Sequence, residues 1–233
     1  EMTNLDWLLL DLLANRAGLP LHRFLGADRD WAAVYKGGGS VLLDDEALIQ
    51  DLQRFKDEGY QTTKFKIGGS GADFSQDIRR LEKARRALGD DFGIAVDANQ
   101  AWDAKTAFAF AKEAAPFGVA WLEEPVHAYD MDALRELRDL LDNAGIVMEI
   151  AMGESVRSYH THVAYAQHGV DHLQPARLCC IAENMRVREY ARQHGCRIST
   201  GGFTFQNAAL GALYSEDELL EYHQPLNEVL VPY

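Results

Sequence analysis

The sequence predicts an α/β protein whose strands close into one parallel (β/α) barrel. Short apolar runs of strand type alternate with amphipathic helical stretches along the whole chain, and a strand–helix repeat of this kind makes a parallel sheet. About eight such units are enough to close it. A third observation concerns the strand ends: Asp97, Glu123 and Glu154 each stand where an apolar run stops and a polar turn begins, in Ile-Ala-Val-Asp97-Ala-Asn, Trp-Leu-Glu123-Glu-Pro and Ile-Ala-Met-Gly-Glu154-Ser.

The strands are expected at 33–36, 62–67, 93–97, 120–123, 147–151, 172–174, 197–200 and 219–222, with helices filling most of the gaps. A helix should open the chain over about 5–15. Gly59 after Lys56-Asp57-Glu58 supplies a usual helix stop before the second strand, and Asp130 is a good N-cap for the helix that follows the fourth. Neither a repeat beyond this rhythm nor a low-complexity linker divides the chain, so one barrel domain is the simplest partition. Its 233 residues, 47% hydrophobic and 25% charged, suffice for a substantial core.

A net charge of −13 with dispersed cationic residues argues against nucleic acid or an anionic membrane as partner. No apolar run approaches the roughly 20 residues of a membrane span, and the N-terminus lacks the basic and apolar regions of a signal peptide. Cys179, Cys180 and Cys196 have no metal-ligand spacing and an odd count, which fits a reduced, cytoplasmic setting. Because Glu1 stands directly before a helix, a preceding piece is expected.

Carboxylates raised at the tips of neighbouring parallel strands converge at the C-terminal face of the sheet and repel one another unless a cation sits among them. Oxygen-only ligation favours Mg²⁺, with Mn²⁺ as the alternative. One strand earlier, Lys64 and Lys66 occupy alternate positions of Thr-Thr-Lys64-Phe-Lys66-Ile and therefore share a face. Phe65 takes the opposite face, toward the helices, so both ammonium groups should point into the barrel. An amine that is partly desolvated beside a second cation gives up its proton more readily and is a plausible general base. Glu124, adjacent to Glu123, should face away and pair with a cation behind the strand or approach the lysines. Asn99, two residues past Asp97, would lie on the same side if the strand continued, where its amide could bond substrate; as a turn residue it would instead cap the next helix.

K-x-K, D-A-N-Q-A-W-D, W-L-E-E-P and G-E-S, in that order at successive strand ends, resemble the enolase superfamily, most closely its mandelate racemase-like branch. The stretch from Leu8 through Leu21 is similar to the helix and turn that lead into that family's barrel. The resemblance implies a modified TIM (β/α)7β-type barrel, with the family's α+β capping domain largely missing from this chain. Residues 1–30 are then a capping-domain remnant and lead-in helix, 31–223 the catalytic barrel and 224–233 a C-terminal tail. It further implies Asp97, Glu123 and Glu154 as metal ligands, with the first acid of the Glu123-Glu124 pair chosen. Lys66 becomes the base, Lys64 the cation that neutralises a substrate carboxylate, and Glu221 an acid that donates a hydrogen bond to that carboxylate.

The sequence departs from the branch in one place. Many of its enzymes carry a His at the end of the seventh strand, oriented by an Asp at the end of the sixth, and here Ala176 follows Gln174-Pro175 while Gly201 and Gly202 follow Thr200. Asp171 and His172 lie at the start of the sixth strand and are expected on the wrong face. Arg177 is a candidate substrate contact on the side without a proton carrier. With one base, Mg²⁺-dependent removal of the proton α to a carboxylate through an enediolate, followed by loss of hydroxide, is the expected reaction. That makes the chain an acid sugar dehydratase-like lyase acting on a small carboxylate, in a homo-oligomer. A racemase or epimerase, a cycloisomerase, or a barrel that only binds are the alternatives.

Overall fold

The computed structural model describes residues 2–176, 178–201 and 205–223, with residues 2–4, 205 and 206 at the level of the backbone. Helices α1 (Met2–Arg16) and α2 (Leu21–Phe24) precede the first strand. From there strand and helix alternate: β1 (Val34–Gly38), α3 (Asp45–Asp57), β2 (Thr62–Lys66), α4 (Ser75–Leu88), β3 (Gly93–Asp97), α5 (Ala104–Ala114), β4 (Val119–Glu123), α6 (Met131–Ala144), β5 (Ile150–Met152), α7 (Tyr159–Gln167), β6 (His172–Leu173), α8 (Ile181–His194), β7 (Arg197–Thr200), α9 (Phe205–Gly211) and β8 (Leu219–His223). The strands follow one another around a closed barrel in the order β1 to β8, which is the expected (β/α)7β pattern. Among the described residues no helix is long and apolar enough to cross a membrane. The tail 224–233 lies outside the described residues.

Every expected strand is present, and the one clear shift is in β5. Residues 147–149 read as strand because of Ile146-Val147-Met148, but the helix before them stops at left-handed Gly145 and Val147 is 97% exposed. The chain is still crossing from helix to barrel there. Asp130 caps α6 as expected, accepting from the Ala133 N–H at 2.9 Å. Two further helices start on the same device, Asp44 accepting from Ala47 at 2.8 Å and Asp103 from Thr106 at 2.8 Å.

By its contacts the chain divides into two compact units. The unit of residues 35–152 and 164–172 holds β2, β3 and β4, in parallel register with Lys64 beside Ala95, Lys66 beside Asp97, and Asp97 beside Glu123. Its helices bury one face each, through Leu48, Leu52 and Phe55 of α3, Leu81 and Leu88 of α4, and Leu134, Leu137 and Leu141 of α6. The unit of residues 1–34, 153–163 and 173–233 packs Trp7 with Ile181, Leu210 and Tyr214, and Asp6 caps α8 by accepting the Ile181 N–H at 2.8 Å. Leu5, Leu8, Leu9, Leu12 and Leu13 of α1 are exposed.

Glu218, ahead of β8, ties α8 to the β8 approach. It accepts from Arg188 at 2.9 Å, Arg192 at 2.7 Å and the Ser215 N–H at 2.7 Å. Burial pushes this carboxyl up, but the hydrogen bonds from the two arginines and Ser215 outweigh it and hold it at about 2. A carboxylate depressed in the folded state stabilises above its unfolded pKa and loses that contribution as pH falls through the folded value. Glu218→Gln should therefore cost about 2 kcal/mol at pH 7. Melting curves of variant and wild type should converge between pH 4.5 and 2; a gap independent of pH would contradict the ion-pair account.

Candidate active site

Strand alternation and register assemble the centre of the site. Lys64 and Lys66 project from the same face of β2, while Phe65 is buried on the other beneath the Arg80 guanidinium, 5.9 Å from the ring centroid. Because Lys66, Asp97 and Glu123 are register partners on consecutive strands, their side chains stand in one row at the strand ends. The Lys64 ammonium donates to Asp97 Oδ2 at 3.1 Å and to Glu123 Oε1 at 2.5 Å. The Lys66 ammonium also donates to Asp97 Oδ2. Lys64 is 1% exposed and Lys66 29%, so the second lysine, at the very end of β2, is the one open to solvent.

Asp97 and Glu123 are fully buried. Burial is the largest influence on Asp97 and pushes its carboxyl up; the charges of Lys64 and Lys66, with hydrogen bonds from Lys66 and the Asn99 N–H, outweigh it and hold the group at about 2. Asp97 is therefore ionised. Asp97 and Glu123 each offer a carboxylate oxygen within 4.8 Å of the other, and Glu154 lies two residues beyond β5. The donor set is oxygen only and anionic, which suits a hard divalent cation such as Mg²⁺. It also fits the way two ammonium groups are drawn among the carboxylates.

Of the two readings of Asn99, strand continuation and turn, the structure has a turn. The strand stops at Asp97, and Asn99 and Gln100 both adopt left-handed backbone, φ 43° and 66°. Asn99 consequently folds back on its own strand end: its N–H donates to Asp97 Oδ1 at 2.8 Å, and its side-chain amide lies 3.4 Å from Oδ2. Gln100 joins this turn to the next strand end. Its N–H donates to the Glu124 carbonyl at 2.7 Å, its side-chain amide donates to Glu124 Oε2 at 3.1 Å, and its side-chain carbonyl accepts the Ala128 N–H at 2.8 Å. Glu124, buried and itself at φ 39°, thus receives the Gln100 amide, a contact not read from sequence.

Two other contacts were not read from sequence. Trp121, two residues before Glu123 on the same strand face, donates its indole N–H to Glu123 Oε2 at 3.0 Å. The Gly153 that precedes Glu154 has φ 144°, and a Cβ there would lie 2.7 Å from His162 Nε2 and 2.8 Å from the Gln174 carbonyl oxygen. Only the period-two spacing of Trp121 and Glu123, and the bare Gly of Gly153-Glu154, signalled them.

The remaining candidates are placed as follows. Glu221 is 4% exposed on β8. Arg177 lies outside the described residues. Asp171 is turned outward to α6, where it pairs with Arg138 and accepts the Ile150 N–H at 2.9 Å. His172 differs from the expectation, because alternation brings its ring to the opposite side from Asp171. There it meets Trp121 edge-on at 5.1 Å, on the side of β4 that carries Glu123. Ala176 is buried, and at Gly201 a Cβ would lie 2.7 Å from the Cβ of Glu154.

Residues 47–231 match the family described as enolase C-terminal domain-like. L-talarate/galactarate dehydratase of Salmonella typhimurium is 33% identical over 227 residues, 96% of this chain and 55% of that protein. The 3,6-anhydro-alpha-L-galactonate cycloisomerase of Streptomyces coelicolor is 34% identical over 159 residues, covering 66% and 41%. The crystal structure of L-talarate dehydratase from Polaromonas sp. JS666, complexed with Mg and L-glucarate, superposes with a TM-score of 0.79 at 30% identity, covering 94% of this chain and 60% of that one. The chain spans about half the length of the curated relatives it matches.

Gly153 provides a structural test. Ala at position 153 must adopt a backbone region that L-residues avoid and displace His162 or the Gln174 carbonyl. Gly153→Ala should cost about 2 kcal/mol or more, a fall in Tm of about 5 °C. Gly145→Ala, at φ 65° with open space around it, should cost only about 1 kcal/mol. Equal melting temperatures for the two variants would refute this packing of the turn before Glu154.

Proposed function

Because the chain belongs to the enolase C-terminal domain-like family, we propose that it removes the proton α to a carboxylate and dehydrates an acid sugar. The observation that carries this reading is the row of Lys66, Asp97 and Glu123 across three neighbouring strands, with Lys64 buried beneath it. Asp97, Glu123 and Glu154 would hold Mg²⁺, which the donor set fits and with which the Polaromonas enzyme is complexed. When bound, the ion supplies charge stabilisation for the carboxylate as it takes on a second negative charge.

Lys66 is the base. It lies at the strand end and is the more exposed lysine, and its side-chain nitrogen takes the α-proton while the C–H electron pair enters the enediolate. The same ammonium returns the proton to the departing β-hydroxyl, so water leaves and the enol tautomerises to a keto acid. Lys64, at 1% exposure, contributes fixed positive charge to the substrate carboxylate. Asn99, Arg177 and Glu221, the last buried on β8, are the further substrate contacts of this reading.

The cycloisomerase relative supports a second reading, in which the enediolate expels an internal leaving group. Dehydration is preferred because Ala176 and Gly201 offer no acid or base for the opposite face. The odd count of Cys179, Cys180 and Cys196 and their lack of metal-ligand spacing support a reducing, cytoplasmic setting, and the exposed leucines of α1 support a homo-oligomer.

Incubation with Mg²⁺ and a panel of acid sugars in deuterated water tests the reaction. A keto acid supports dehydration; α-proton exchange alone, or neither signal, contradicts it. Lys66→Ala should abolish keto acid formation and proton exchange while leaving calorimetric Mg²⁺ affinity within about threefold, since the base acts on the substrate. Glu123→Gln should instead weaken Mg²⁺ binding by at least about tenfold. Substantial exchange in Lys66→Ala would assign the base elsewhere, and unchanged affinity in Glu123→Gln would remove Glu123 from the metal site.

A further inference from the structure

Glu123 meets two donors of different kinds. Its Oε1 accepts from the Lys64 ammonium at 2.5 Å, and its Oε2 accepts from the Trp121 indole at 3.0 Å. The indole N–H has one proton, a fixed direction and no charge, so it fixes one oxygen of the carboxylate without reducing the negative charge on the other. Lys64, by contrast, is a cation, and it meets the other oxygen, Oε1.

Trp121 is held firmly enough to act as a fixed reference. It is fully buried in β4, and its ring is met edge-on by Tyr35 at 5.1 Å and 85° and by His172 at 5.1 Å and 76°. Two T-shaped contacts on a buried indole set its plane, and the plane sets the line of the N–H. Since Trp121 and Glu123 are i and i+2 on one strand, the indole reaches the carboxylate without any loop between them.

We propose that Trp121 is a positioning residue for the cation site: by engaging Glu123 Oε2 it presents Oε1 to the cation. The inference rests on the reading of Asp97, Glu123 and Glu154 as the Mg²⁺ ligands and assigns the rotational state of one of them to a neutral residue one layer below. A ligand carboxylate without this tether must be ordered when the ion binds, and outer-sphere hydrogen bonds of this kind influence affinity by about 10–100-fold.

Calorimetric titration of Mg²⁺ into the wild type, Trp121→Phe and a chain carrying 3-benzothienylalanine at position 121 tests it. Phe removes the donor and part of the ring; benzothienylalanine keeps the bicyclic shape and replaces only N–H by sulfur. Both should bind Mg²⁺ about 10–100-fold more weakly than wild type, and the benzothienyl chain should keep the metal-free melting temperature. Where Trp121→Phe fails to fold, the benzothienyl chain decides. Wild-type affinity in that chain overturns the proposal, as does a loss of affinity matched by a loss of metal-free stability. Wild-type protein whose Mg²⁺ binding is absent or indifferent to Glu123→Gln overturns the metal reading itself, an outcome separate from the first two.

Discussion

The structure depends on keeping like charges together at the strand ends. Asp97 and Glu123 bring carboxylate oxygens within 4.8 Å of each other, and unit charges at that spacing repel by about 3 kcal/mol at an effective dielectric near 20. Burial of Asp97 and Glu123 raises the cost further. Lys64 and Lys66 counter it, and for Asp97 their influence wins, because the carboxyl is depressed despite being wholly buried.

Backbone strain is concentrated around the same carboxylates. Among the described residues the non-glycine positions with positive φ are Asn99, Gln100 and Glu124, two just beyond Asp97 and one just beyond Glu123. Each such residue costs on the order of 1 kcal/mol or more and persists where neighbouring contacts over-determine it. Gln100 supplies those contacts through three hydrogen bonds to the segment 124–128. The strain therefore has a structural purpose that follows from the outliers themselves: it turns the chain sharply after each acid, so both carboxylates end their strands rather than continuing into them.

What was legible in the sequence is whatever depends on strand alternation and on strand ends. Lys64, Lys66, Asp97 and Glu123 are placed by a period of two and by position at a terminus, and the register carries them into one row. The contacts that were not legible depend on conformations that residue type does not announce. Asn99 is left open between strand and turn because nothing in Asp-Ala-Asn-Gln reveals two consecutive left-handed residues. Glu124 reads as seeking a cation because the amide that meets it arrives through that same turn. Val147 reads as strand from its β-branched type although it is almost wholly exposed. His172 reads as facing away because the sequence does not show the outward turn of Asp171 to Arg138 that fixes the alternation of β6.

The same geometry bears on how one-sided the chemistry can be. At the end of β7 the backbone of Gly201 approaches Glu154 so closely that a Cβ would sit 2.7 Å from the Glu154 Cβ, a separation that side-chain carbons do not tolerate without movement of one strand end. A histidine at this position would therefore compete with the third carboxylate for space, and the buried Ala176 on the preceding segment has no group to orient one. The proposed reaction needs neither residue: when the base that takes the α-proton also protonates the leaving hydroxide, the proton stays on one face of the substrate. Inversion at the α-carbon needs a donor on both faces. In the proposed reading, the small side chains at positions 176 and 201 favour elimination over racemisation, a preference that comes from the site residues and not from the fold, which serves both reactions.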